Sequence, residues 1–324
     1  LAVPETGPVN TTINNSWTTP TCQHRRRHSF TELQGTTIMY AITGITGKVG
    51  GAVAEALLAA GLPVRAVVRD AAKGQAWATR GCQVALAEMN DADALALAFK
   101  DCEAVFVLPP SEFDPALDFA EAVAVIDAVT AALLVARPAR VVCLSTIGAQ
   151  AVQTNLLSQR TLMERALQDL AMPVTFLRPA WFMENALWDV AGARAGLISS
   201  FLQPLDRPVA MVATADVGRV AAELLQQSWR GVRVVELSGP RSVSPNDVAA
   251  TFAAILGHPV RAEAVPRTSW EALFRSQGSV NPLPRMRMLD GFNEGWIAFA
   301  GDEASVRKGN VELDTVLRQL VAAS

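Results

Sequence analysis

The chain contains one tyrosine, three histidines and four cysteines in 324 residues, and each shortage removes a chemistry. Reductases that pass a proton through a Tyr-x-x-x-Lys pair need a phenol whose pKa a nearby lysine lowers. Here the sole tyrosine is Tyr40, and glycine, not lysine, stands four residues later. Of the histidines, His24 and His28 fall in the first 37 residues and His258 sits in a Gly-His-Pro turn, which argues against a serine–histidine hydrolase. Cys22, Cys82, Cys102 and Cys143 are scattered, with no Cys-x-x-Cys and no histidine at ligand spacing. They read as free thiols in a reducing cytoplasm, and no metal is expected. A net charge of -3 gives no basic footprint, so no nucleic acid is expected as a partner. The longest apolar stretch, residues 120–136, is interrupted by Glu121 and Asp127 and suits a packed helix rather than a membrane span.

What is present is a strong local signal. The apolar run that begins at Ile38 ends in Thr43-Gly44-Ile45-Thr46-Gly47-Lys48-Val49-Gly50, and an alanine-rich segment follows at once. This reads as strand, tight turn and helix. Gly44 makes the turn, Gly47 lets a pyrophosphate approach the backbone, and Gly50 lets the helix pack close to the strand. The helix N-terminus then faces the phosphates, so Gly44, Thr46, Gly47, Lys48, Val49 and Gly50 are cofactor-binding candidates.

Beyond this turn, strands are predicted at 38–43, 64–68, 83–87, 104–108, 140–145 and 174–177. Helices are predicted at 48–60, 71–80, 91–99, 115–136 and 155–170. The alternation implies an α/β fold: a doubly wound parallel (Rossmann) sheet over 38–180 with a smaller, mostly helical substrate-binding part over 181–324. Residues 232–237 are expected to return to the main sheet. Residues 1–37 are rich in Thr, Asn, Pro and Ser, carry three consecutive arginines and show no apolar periodicity. They are expected to be a disordered, non-native leader, dispensable for folding from Met39. Helix 115–136 either pairs with a copy of itself in a homodimer or is covered within one subunit.

Arg69, at the end of the second strand, and Lys73 suit the 2′-phosphate of NADP, so NADPH is preferred over NADH; a solvated strand-end arginine is the alternative. Glu88 either meets the adenine amino group or helps cap the next helix, a role that Asp91 is also placed to fill. Leu108 and Pro109 close the fourth strand beside the expected nicotinamide, or simply end it. Ser145 ends the fifth strand, where a hydroxyl can face the nicotinamide or bond local backbone.

The glycine turn, the helix Arg160 to Leu167 with Glu164, and Thr175-Phe176-Leu177-Arg178-Pro179-Ala180-Trp181-Phe182-Met183-Glu184-Asn185 together resemble the NmrA-like branch of atypical short-chain dehydrogenases/reductases. Ala215-Asp216-Val217-Gly218 and Ser238-Gly239-Pro240 extend the resemblance to about Pro266. That branch includes NAD(P)H:quinone oxidoreductases, NAD(P)H azoreductases and NADP-sensing co-regulators. In relatives with the tyrosine–lysine pair, the lysine lies four residues before the helix glutamate and the tyrosine four earlier. Those positions hold Arg160 and Leu156. The resemblance therefore implies hydride transfer to a small aromatic substrate, a quinone, azo compound or similar acceptor, with no flavin. Ser145 and Arg160 are the catalytic candidates, and Pro179 joins Leu108 and Pro109 around the nicotinamide. A non-catalytic NADP(H) sensor is the alternative.

Overall fold

The computed structural model describes residues 38–324, so the reading of 1–37 as a leader and the state of Cys22 lie outside the described residues. From the first strand onward, chain order alternates: β1 (Tyr40–Ile42), α1 (Lys48–Ala59), β2 (Val64–Val68), α2 (Ala71–Thr79), β3 (Gln83–Leu86), α3 (Ala92–Phe99), β4 (Ala104–Val107), α4 (Ala120–Ala136), β5 (Arg140–Leu144), α5 (Ser158–Leu167) and β6 (Val174–Pro179). The remainder is β7 (Trp181–Phe182), a 3-10 turn (Met183–Asp189), α6 (Val190–Arg194), β8 (Leu197–Ser200), β9 (Val209–Val212), α7 (Thr214–Leu225), β10 (Val232–Ser238), β11 (Ser242–Val243), α8 (Pro245–Leu256), β12 (Arg261–Ala264), α9 (Trp270–Ser276), α10 (Leu283–Glu294), β13 (Arg307–Lys308) and α11 (Leu313–Ala323).

Eight strands form one parallel sheet in the order β13-β10-β6-β5-β4-β1-β2-β3. The strand order reverses between β1 and β4, and that reversal opens a crevice at the carboxyl edge. Helices cover both faces, so the central strands are buried throughout: every residue of β1, β4 and β6 is buried. Two apolar clusters fill the layers on either side of the sheet. Tyr40 lies in the first of them, 4% exposed, and burial pushes its phenol above the ordinary range. It has no access to a substrate.

The part beyond β6 is mostly helical and has its own core around Phe252, Met183 and Leu317. It also holds two small sheets, β11-β9-β7 and β12-β8, which the reading of 181–324 as mostly helical does not include. Their strands are two to four residues long, too short for a period-2 signal. Two residues of the Ala-Asp-Val-Gly stretch join this part to the nucleotide-binding half. Asp216, buried, accepts the amides of Asn310 and Val311 at 2.9 Å each. Gly218 lets α7 press on α1, where a Cβ would sit 2.3 Å from that of Ala52.

Helix α4 begins at Ala120 rather than at 115. Phe119 takes a left-handed conformation (φ 56°) that buries its ring, and Asp118 accepts the amide of Ala120. Its outer face leaves Val123, Leu134 and Val135 exposed, so the described residues do not cover this helix completely. No helix among the described residues is long and apolar enough to cross a membrane.

Candidate active site

The crevice opens into a cleft of about 1030 Å³ between the sheet edge and the C-terminal part. Its lining begins at the glycine turn. Gly44 sits at φ +63°, and a Cβ on Gly50 would fall 2.3 Å from the Gly44 carbonyl oxygen, so the turn and the first turn of α1 touch backbone to backbone. Gly47 is the N-cap of α1 and offers no side chain to the amides that follow, and no acidic residue stands in the first turn. Those amides and the positive helix end are left for an anion. This arrangement fits a dinucleotide pyrophosphate.

Thr43, fully buried, holds the two strands of the crevice at fixed separation. Its hydroxyl donates to the carbonyl of Phe106 (3.1 Å) and accepts the amide of Leu108 (2.7 Å). The structure therefore brings Gly44, Gly47, Lys48, Val49, Leu108, Ser145, Arg160 and Pro179 into one cleft wall. Gly50 is packed behind that wall, and Thr46 is exposed on the turn. Pro109 borders a smaller cavity of about 100 Å³ that Arg160 also touches.

Arg69, Lys73 and Glu88 are exposed and do not line the cleft. Asp70, beside Arg69, is engaged as the α2 cap, accepting the amide of Ala72 at 2.8 Å. Asp91 caps α3 through the amide of Ala94 (3.0 Å), which leaves the Glu88 carboxylate out of the cap.

Arg160 is more constrained than the sequence suggests. Its guanidinium donates to the carbonyls of Pro109 (2.9 Å) and Pro110 (3.1 Å) and to the Ser111 hydroxyl (2.7 Å). It thereby clamps the loop after β4. Burial pulls its pKa down to about 10, which leaves it cationic at neutral pH.

A buried ionic network stands behind Ser145. The Ser145 hydroxyl donates a short hydrogen bond to Glu164 Oε1. Arg178 grips the same carboxylate twice, Nε to Oε1 at 2.8 Å and Nη2 to Oε2 at 2.5 Å. Its Nη1 reaches Gln150 at 3.1 Å and lies 3.9 Å from Glu236, whose carboxylate accepts the amides of Ala300 and Gly301. Burial works against the Arg178 charge, but its carboxylate partners more than offset it and hold the guanidinium above its ordinary value. Because the Ser145 proton points at Glu164, its oxygen presents lone pairs to the cleft. Ser145 can accept a hydrogen bond there; it is not set up as an acid. Cys143, two residues earlier, is fully buried and pushed up to about 12, an inert thiol.

Trp181, Phe182 and Trp188 all face the cleft, Trp181 edge-on to Phe292 at 5.1 Å between ring centroids. Glu184 lines the cleft as well and is tied to Thr214 by its amide (2.8 Å) and hydroxyl (2.5 Å). Neither the Glu164–Arg178 pair nor the Glu184–Thr214 contact has a spacing signature, since each joins separate elements.

Asp189, also in the cleft wall, has its carboxyl raised to about 6 by burial. A group whose folded pKa lies above its unfolded value destabilises the fold once it ionises, so stability is lost as pH rises through about 4 to 6. Asp189→Asn is expected to remove that slope and to raise stability at neutral pH by about 1–2 kcal/mol, read from denaturant midpoints across pH.

A profile of the NmrA-like family matches residues 36–289. The chain belongs to the NmrA-like family. Among similar proteins, the NAD(P)H azoreductase of Xenophilus azovorans is 30% identical over 70% of this chain and 77% of its own length. The (4-alkanoyl-5-oxo-2,5-dihydrofuran-3-yl)methyl phosphate reductase of Streptomyces griseus subsp. griseus is 31% identical over 69% and 76%. Quinone oxidoreductase 2 of Escherichia coli (strain K12) is 28% identical over 76% and 85%. The solved structure of NADPH-dependent quinone oxidoreductase QOR2 from E. coli with NADPH shares the fold at a TM-score of 0.70 and 24% identity, covering 88% of this chain and 95% of that one.

Proposed function

We propose that this NmrA-like protein is an NADPH-dependent reductase that transfers hydride to a quinone, azo or similar electrophilic aromatic acceptor without a tyrosine–lysine pair. The observation that carries the reading is a single cleft shared by the uncapped glycine turn, the Ser145 oxygen and the aromatic residues Trp181, Phe182 and Trp188. The names of the relatives support the cofactor and the acceptor class.

When bound, NADPH would supply a hydride, that is, one proton with two electrons. Gly44, Thr46, Lys48 and Val49 would hold the pyrophosphate through amides and one ammonium, while the Gly47 amide closes the turn on the Gly44 carbonyl (3.0 Å) and its missing side chain leaves room for the phosphates. Arg69 and Lys73 take the 2′-phosphate, a role made easier by the engagement of Asp70 in its cap. Glu88, exposed just after β3, would meet the adenine amino group. Leu108 and Pro179 would frame the nicotinamide from the cleft wall, and Pro109, whose carbonyl Arg160 holds, would fix the loop behind them.

Ser145 accepts a hydrogen bond from the bound cofactor or acceptor, and Arg160 keeps a positive charge at the wall where an anion develops. A quinone that receives hydride becomes a hydroquinone anion, which water protonates; an azo group takes hydride on one nitrogen and a proton on the other. Neither acceptor needs a positioned phenol, so orientation carries most of the catalysis. Leu156 in place of a tyrosine is compatible with such acceptors and unfavourable for unactivated carbonyls.

Arg69→Ala is expected to weaken NADPH binding about 10-fold or more, the loss of one charge-assisted contact, while NADH binding changes little. Titration of both nucleotides by fluorescence checks this. Equal loss on both nucleotides would remove the 2′-phosphate role.

A further inference from the structure

The cations along the cleft wall divide into those with a task and one without. Lys48 stands at the phosphate turn, and two nitrogens of Arg160 are bound to Pro109, Pro110 and Ser111. Arg285, in the first turn of α10, also lines the cleft. Its guanidinium lies over the ring of fully buried Phe274, 4.3 Å from the centroid, and has no ion-pair partner among the described residues. Burial alone pulls its pKa below the ordinary range. Of the two acids that share the cleft, Glu184 is bonded to Thr214, and neither Glu184 nor Asp189 forms an ion pair with Arg285.

The position of Arg285 is fixed from two sides. Asp114 accepts the Ser279 hydroxyl (2.6 Å) and the amides of Val280 and Asn281 (2.7 Å each), which anchors the chain entering α10. The carbonyl of Pro284, its immediate neighbour, accepts the amide of Leu156 at 2.9 Å. Leu156 lines the cleft at the position where tyrosine–lysine relatives carry the phenol. A stacked, partly desolvated and pre-positioned guanidinium lacking a carboxylate is suited to an oxyanion, two of whose oxygens it can bind bidentately. A ligand that brings the counterion offsets the cost of holding the charge out of water.

We infer that Arg285 seats an anionic substituent of the acceptor, so that the favoured substrates are aromatic electrophiles carrying a carboxylate, sulfonate or phosphate. This rests on the reductase reading for the chemistry but not for the binding. The probes are 4-dimethylaminoazobenzene, its 4′-sulfonate and its 4′-carboxylate, measured by equilibrium dialysis against the full chain saturated with NADP⁺. The native protein is expected to bind the two anionic dyes about tenfold or more tighter than the neutral one. Arg285→Gln is expected to erase that preference, and Arg285→Lys to restore part of it for both anions. Restoration for only one of them would identify which oxyanion the site prefers.

Two results overturn the inference: equal binding of neutral and anionic dyes by the native protein, or an equal loss on all three dyes in Arg285→Gln. Turnover is read on the same samples. Anion-selective binding with no reduction of these dyes or of quinones would leave the Arg285 site standing and count against the reductase reading.

Discussion

Glu164→Gln is expected to destabilise the protein by about 3–5 kcal/mol, the cost of leaving one member of a buried ion pair without its partner. Glu164 is 8% exposed and takes two hydrogen bonds from Arg178 and one from Ser145. The neutral amide can satisfy at most part of this set, and Glu236, 3.9 Å away, stays as a counterion but makes no hydrogen bond to Arg178. Denaturant unfolding at constant m-value measures the effect. The double variant Glu164→Gln/Arg178→Met is expected to recover only part of the loss, because the Arg178 charge goes too but buried Glu236 then loses its counterion and keeps only the amides of Ala300 and Gly301. A second consequence is functional. Without its carboxylate acceptor the Ser145 hydroxyl is free to turn, so the rate falls under conditions where the variant remains folded. A Glu164→Gln variant as stable as the native protein would mean that the network contributes nothing to the fold.

Gly50→Ala is expected to lower NADPH affinity about 10- to 100-fold, a loss of one or two charge-assisted hydrogen bonds to phosphate. The added methyl would stand 2.3 Å from the Gly44 carbonyl oxygen, and that atom is backbone, so the turn itself must move. The amides that face the pyrophosphate move with it. Overpacking of this kind costs stability as well, about 1–3 kcal/mol. Circular dichroism separates a folded variant that has lost affinity from one that has unfolded. Gly47→Ala provides a contrast, since the nearest neighbour of its Cβ is at 3.4 Å and the space it would enter belongs to the ligand. Native affinity in Gly50→Ala would show that the turn tolerates displacement.

The contrast between these residues explains what the sequence reveals. The strands at 104–107 and 140–144 are legible because both faces of the sheet are covered, which makes residues 104–107 and 141–144 short unbroken apolar runs. The glycine turn is legible because close backbone approach restricts residue type at fixed spacing. Glu164, Arg178 and Glu236 come from α5, β6 and β10, and no local pattern marks them as partners. Arg285 is likewise one arginine in an ordinary helix until Phe274, Asp114 and Leu156 are placed around it. The role of Arg160 as a loop clamp follows from contacts about fifty residues away in sequence. The start of α4 depends on the buried ring of Phe119, which is a tertiary choice over the local helical pattern of 115–119.

The measurement that bears most directly on the central claim is steady-state oxidation of NADPH by the chain, with binding of NADPH measured on the same preparation. A small panel of quinones and azo dyes serves as acceptors. The expected result is saturable turnover on at least one acceptor class, with NADPH favoured over NADH. Tight NADPH binding with no turnover on any acceptor would contradict the reductase reading and leave a protein that senses the cofactor without consuming it.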